Sequence, residues 1–283
     1  MVFNQCIGFG VAGNFAGHLE QAGEAADFVT VAVKEVTQPK AIFPFYLPNI
    51  NSGLLTAYPL SSTQITPPND ADNLQIEPEV ALVCDVIYTT NADDSRQTVS
   101  DLIPRQFGAY NDCSIRKPHA KKISEKKNWG INSKGMSDHL IAIDHFSAGG
   151  VLDRYRIASF HCRDGEIHRY GEDSAVVGYS YFHDTLLDWI IERMNHQQDV
   201  GPTENIADLL EQSQYPTQAV ISIGATRYTP YGESHFLQAG DTSIVVVYDG
   251  NCYNAEEIMQ MALTHDLTND DGMSVLIQQV VTS

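Results

Sequence analysis

Hydrophobic and polar positions along the chain fall into blocks that predict strands more often than helices. Val80-Ala-Leu-Val-Cys84 is a short, unbroken, β-branched apolar run and reads as a buried strand. Val151 to Cys162 alternates at period two, and Arg163-Asp-Gly-Glu166 after it is a hairpin-type turn. Ala219 to Ile223, Thr242 to Tyr248 and Ser274 to Val281 are further β-branched strands. Helical spacing is clearest from Tyr179 to His196, where Phe182, Leu186, Trp189, Ile190 and Met194 form one apolar stripe. His183 and His196 on that segment read as packing or capping residues.

The connections are less regular. The opening Cys6-Ile-Gly-Phe-Gly-Val-Ala-Gly13 is an apolar strand interrupted by glycines. Its glycines suggest a nucleotide loop, but no βαβ unit follows. Asn14-Phe-Ala-Gly-His-Leu-Glu20 reads instead as a short capped helix. Pro39 to Pro48, apolar and aromatic, is expected to be irregular or an edge strand. Pro59 to Asp72 is a polar connection, and Asn91 to Asp101 a polar loop leading into a short helix. No repeat or low-complexity linker divides the chain, so one domain spanning 1–283 is expected. Strands dominate, and a few helices flank them. The expected fold class is therefore α+β, β-rich, built on a curled or sandwiched sheet.

Composition narrows the function. A chain 43% hydrophobic and 19% charged can bury a sizeable core. Its formal charge of −19, from 36 acids against 17 bases, argues against nucleic acid or an anionic membrane as main partner. No apolar run reaches transmembrane length, and Met1 to Cys6 lacks the basic and apolar regions of a secretory signal. Five scattered cysteines without a C-x-x-C pair disfavour a zinc ribbon or a disulfide framework, and Cys84 reads as a buried thiol. These features predict a cytoplasmic protein. Arg116, Lys117, Lys121, Lys122, Lys126 and Lys127 crowd into Ser114 to Lys127. Such a run usually forms a solvated loop or helix face; the second reading is an anion-attracting rim.

Candidate chemistry begins at the strand. Glu77 and Glu79 open it two residues apart, so they share a face roughly 6–7 Å apart at the backbone. Like charges that close, beside an apolar run, are unfavourable without a positive charge between them or water around them. About thirty residues on comes Asn111-Asp-Cys-Ser-Ile-Arg116, and then Trp129-Gly-Ile-Asn-Ser-Lys134-Gly. With Asn14-Phe-Ala-Gly-His18 near the start, this series resembles the fumarylacetoacetate hydrolase family in motif order and spacing. More loosely, Arg163-Asp-Gly-Glu-Ile-His-Arg169, Ile223-Gly-Ala-Thr226 and Ala239-Gly-Asp241 resemble that family's N-G-E-x-x-Q, G-T-P and G-D elements.

The resemblance implies a curled mixed β-sandwich or roll of that family's type. It implies Glu77, Glu79 and Asp112 as ligands of Mg²⁺ or Mn²⁺, with Ca²⁺ also suited to the same oxygen donors. The ion would turn the repulsion between the acids into attraction. Lys134 is expected to face the metal and the substrate oxygens. Arg116 is expected to grip a substrate carboxylate through its fork, and Thr226 to bind a substrate oxygen. Asn111 and Ser114 would shape the turn that presents Asp112. His18 is the expected general base. Gln21 stands where the family often has the glutamate that partners this histidine, and Glu20 and Glu24 flank it. Glu20 completes the expected catalytic set of His18, Lys134 and Glu20. Phe43-Pro-Phe-Tyr46 and His119 also depart from the family pattern, where a lysine and a glutamine are common. The implied activity is metal-dependent hydrolysis, decarboxylation or tautomerisation of a β-dicarbonyl carboxylate such as an acylpyruvate. The alternative is a non-catalytic, metal-dependent binder of a carboxylated metabolite. A homodimer is implied too, with Ala41 to Leu47 as the apolar stretch offered for its interface.

Overall fold

The structure is a computed structural model, and it describes all residues except 1–2, 29–30, 32–33, 52, 70, 72, 91–95, 117–119 and 283. The described strands are, in chain order, β1 Ile7–Ala12, β2 Ala41–Tyr46, β3 Leu60–Ser61, β4 Gln64–Ile65, β5 Leu74–Gln75, β6 Pro78–Thr90, β7 Gln97–Asn111, β8 Ser114–Ile115, β9 Lys134–Met136, β10 Ile141–Ala142, β11 Tyr155–Arg163, β12 Glu166–Ala175, β13 Gln218–Ser222, β14 Thr242–Asp249 and β15 Met273–Val280. The described α-helices are α1 His18–Gln21, α2 Ser124–Lys127, α3 His183–His196, α4 Ile206–Gln212, α5 Pro230–Ser234 and α6 Ala255–Leu263.

Two mixed sheets face one another. The larger runs β2-β1-β13-β6-β7-β9-β3, with β10 on β7; the smaller runs β12-β11-β14-β15-β4. Val80, Leu82, Phe9 and Phe107 of the first pack with Ile157, Val245, Val247 and Leu276 of the second in one core. Neighbouring residues face outward into separate clusters: Ala81 and Val83 join Phe45 and Tyr110, while Ile244 and Val246 pack beneath α6. Both faces of β6 and β14 are thus covered, which explains their unbroken apolar runs. No described helix is long and apolar enough to cross a membrane.

The expected strands form, except that Val151–Arg154, read as the start of a strand, is a 3-10 turn and β11 begins at Tyr155. The Arg163–Glu166 turn carries positive φ at Asp164 (51°) and Gly165 (83°), the signature of a type I′ hairpin. Pro39 to Pro48 contains the edge strand β2, whose register slips opposite Gly8 and Phe9, at Pro44 to Tyr46. The glycines of β1 serve that edge. A Cβ on Gly8 would lie 2.2 Å from the Phe45 ring, and one on Gly10 as close to Phe43. They admit two aromatic rings, with no phosphate loop.

Five expectations change. Of Asn91 to Asp101, residues 91–95 lie outside the described set, and the remainder from Gln97 belongs to β7, not to a helix; β7 pairs with β6 along nearly its whole length. The helix expected from Tyr179 begins at His183. Asn14 is the reason: its side chain accepts from the Tyr181 N–H (2.8 Å) and donates to the Tyr181 and Ile223 carbonyls, while its own carbonyl accepts from Ser180. Asn14 therefore fastens three segments together and caps no helix of its own. Ala41 to Leu47 is buried against this chain's own core and is not an exposed face for a second copy. Finally, the basic run is not uniformly solvated, since Lys127 is 4% exposed.

Candidate active site

The long β6–β7 hairpin positions the acids. Asn111, the last residue of β7, lies opposite Pro78, the first of β6. Its carboxamide oxygen accepts from the Glu77 and Cys113 N–H groups (3.0 Å each), and its nitrogen donates to Ser243 Oγ and Gln278 Oε1. The Asp112 N–H donates to the Glu77 carbonyl at 3.0 Å. These bonds bring one oxygen each from Glu77, Glu79 and Asp112 to within 4.8 Å of one another, all buried. Glu79 is held from its other side by the Gly224 N–H (2.9 Å), in a turn whose φ of +116° favours glycine.

His18 follows Gly17 at the start of α1 and is 5% exposed. Its Nδ1 lies 2.9 Å from the Thr226 carbonyl. A carbonyl only accepts, so Nδ1 carries the proton and Nε2 keeps its lone pair. Burial pushes the imidazolium down to about 4, against the pull of Glu77, so the ring is neutral at pH 7. The Tyr228 ring packs 5.2 Å from it.

Three cations meet the acids. Lys127 Nζ contacts Glu77 Oε2 and lies 2.6 Å from Asp112 Oδ2. Arg116 Nη1 lies 2.7 Å from Glu77 Oε1 and 2.9 Å from Glu24, its Nε donates to Gln75, and its Nη2 donates to the Tyr228 hydroxyl. Lys134 Nζ donates to the Asp112 and Cys113 carbonyls and lies 3.3 Å from Asp112 Oδ1. Burial would raise Glu77, but Lys127 and Arg116 outweigh it and hold it well below the usual carboxylate range. Glu79 has no cation within ion-pair reach among the described residues; burial, Asp112 and Glu77 push it well above that range. The cavity framed by Glu24, Glu77, Glu79, Asp112, His18 and Lys127 leaves about 20 Å³, room for an ion or a single water.

The structure thus gathers Glu77, Glu79, Asp112 and His18 around one cavity. Lys134 is fully buried, bonds to the carbonyls of the turn that carries Asp112, and is not among the residues that line this cavity. The three nitrogens of Arg116 are engaged by protein groups. Thr226 serves His18 through its carbonyl, while its buried hydroxyl has no hydrogen-bond partner among the described residues. Ser114 Oγ reaches the Asp112 carbonyl at 3.5 Å, the limit of a hydrogen bond. Glu20 is exposed and makes no contact with His18; the nearby carboxylate is Glu24, buried and paired with Arg116. Gln21 bonds to the Tyr228 backbone and Glu233 instead of His18. Lys117 and His119 lie outside the described residues.

Sequence reasoning missed Lys127 and Tyr228 at this site, and chose Glu20 over Glu24. A signal for Lys127 existed: Ile123, buried 4 positions earlier, shares its inward face. Glu24 follows Gly23, whose φ of +68° lets the chain double back, and spacing along a helix gives no hint of that.

The architecture is that of the fumarylacetoacetate hydrolase family. Superposition on a protein assigned as a fumarylacetoacetate isomerase/hydrolase from Oleispira antarctica covers 98% of this chain and 93% of the other, at TM-score 0.54 and 13% identity. A 5-carboxymethyl-2-hydroxymuconate delta-isomerase from Mycobacterium smegmatis matches over 98% and 79% of the two chains, at 0.51 and 15% identity. A 2-keto-3-deoxyarabinonate dehydratase matches over 98% and 74%, at 0.54 and 14% identity. No curated protein matches by sequence. Within this architecture, residues 24–280 match the "Family of unknown function (DUF5718)", and the chain belongs to that family.

Proposed function

We propose that this protein is an enzyme that cleaves or isomerises a small β-dicarbonyl carboxylate, with acylpyruvates as first choice. One observation carries the reading: a neutral histidine with a free Nε2 and three buried carboxylates line the same cavity. The donors suit a hard dication. They are oxygens, they converge, and neither Asp112 oxygen accepts a well-aligned hydrogen bond among the described residues. Glu77, Glu79 and Asp112 would hold Mg²⁺ or Mn²⁺, which supplies a Lewis acid toward adjacent substrate oxygens.

The chain's own groups do the rest. His18 Nε2 takes a proton from water or from the carbon beside a carbonyl, while the Thr226 carbonyl stabilises the ring as it becomes charged. Tyr228 fixes the plane of that ring. Asn111 and Lys134 hold Asp112, and Arg116 holds Glu77 and Glu24; these are positioning roles. The Thr226 hydroxyl, buried without a partner, is the group available to a substrate oxygen. Purified protein incubated with Mg²⁺ or Mn²⁺ and a panel of acylpyruvates and oxaloacetate should turn over at least one, with loss on His18→Gln. No turnover across the panel sinks the proposal.

A second reading, a metal-dependent binder that leaves its ligand unchanged, draws on the small cavity and on Arg116 being spent on protein partners. Binding without conversion in the same panel distinguishes it.

A further inference from the structure

Lys127 reaches the carboxylates from a segment clamped on both sides. Ahead of it, the Ile123 N–H donates to the Pro202 carbonyl, and Lys122 Nζ bonds to Asp199, Gly201 and Thr203. Ser124 Oγ donates to Glu204. After it, Asn128 Nδ2 donates to the Phe45 carbonyl and Trp129 Nε1 to that of Thr66. Lys127 lines the cavity together with Ile123 and Leu19, and its ammonium lies 5.5 Å from the Phe43 ring. Its position is therefore set by the fold and is not a surface lysine folded back.

That ammonium takes one oxygen from each of two expected ligands, Glu77 and Asp112. Arg116 takes the other oxygen of Glu77. Lys134 adds a third cation, 3.3 Å from Asp112 Oδ1. The oxygens that an ion would need on Glu77 and Asp112 are thus already held by ammonium and guanidinium groups, and a dication brought among them would meet their repulsion.

We infer that Lys127 and a divalent ion exclude one another: the ammonium occupies the carboxylates in the resting protein, and metal enters as Lys127 withdraws. This rests on the reading that these acids take up a metal. Lys127 then sets how tightly the site binds metal, since the apparent affinity is reduced by the fraction of molecules in which the lysine is out.

The test is calorimetric titration of Mn²⁺ into chelator-stripped wild type, Lys127→Met and Lys127→Arg. Lys127→Met should bind at least tenfold more tightly than wild type, corresponding to a lysine withdrawn in about one molecule in ten, and Lys127→Arg should stay weak. A second readout needs no variant. Acetylation of wild-type Lys127, followed by peptide mass spectrometry, should be slow without metal and fast at saturating Mn²⁺. Equal affinity in wild type and Lys127→Met, or equal protection of Lys127 with and without metal, overturns the exclusion and leaves the metal site standing. No uptake by any of the three proteins overturns both.

Discussion

Replacing Lys127 with methionine in the metal-free protein should be costly, and the structure says by how much. The side chain is 4% exposed, and its ammonium lies 2.6 Å from Asp112 Oδ2 while also contacting Glu77. Glu77 keeps Arg116 at 2.7 Å after the change, but Asp112 keeps only Lys134, at 3.3 Å. Removing one partner of a buried pair costs about 3–5 kcal/mol, because a charge is left without compensation. The surviving cations favour the lower end, about 3 kcal/mol. Unfolding entropy of about 2.1 cal/mol/K per residue over 283 residues gives about 0.6 kcal/mol/K, so the midpoint should fall by about 5 °C. Thermal denaturation followed by circular dichroism, with chelator present throughout, measures it. A fall of less than 1 °C would mean that the ammonium does not neutralise the acids.

Other outcomes follow from the same structure. Burial raises Glu204 to about 7, and its Oε2 is buried without a hydrogen-bond partner. The folded state therefore holds a proton that the unfolded chain releases near 4.5, and stability from this group is lost as pH rises from there through 7. Glu204→Gln removes that loss, so its stability relative to wild type should improve by roughly 2–3 kcal/mol between pH 4.5 and pH 8 in urea titrations; an unchanged difference contradicts it. Asn111→Ala strips partners from the Glu77 and Cys113 N–H groups, both buried, at about 1–3 kcal/mol each. Its denaturant midpoint should drop accordingly, whereas a loss under 1 kcal/mol would mean that water replaces the carboxamide.

Much of the scaffold was readable from residue order. A period of two, β-branching and an Asp-Gly pair suffice for β11, β12 and their turn, because those are local properties. Glu77 and Glu79 were visible as neighbours for the same reason: a strand puts i and i+2 on one face. Long-range contacts decided the rest. Residues from Gln97 onward look polar, yet they are one arm of a hairpin whose partner supplies the backbone bonds. Tyr179 to Phe182 fits the helical stripe, but Asn14, far away in sequence, takes its backbone groups. Lys127 is one letter in a basic run, and its burial depends on a clamp from residues 199–204. Glu24 rather than Glu20 approaches the histidine because the chain reverses at Gly23. Spacing along an element identifies which residues share a face; it does not say which charge will fill the space between them.

The most direct test of the account is hydrogen–deuterium exchange at the methyl group of pyruvate, a 2-oxo acid that exchanges slowly by itself, followed by proton NMR in D₂O with Mg²⁺. If His18 Nε2 works beside the carboxylate trio, wild type accelerates exchange and His18→Gln loses about 100-fold or more of that acceleration. Exchange no faster than buffer, or equal in the two proteins, would contradict it.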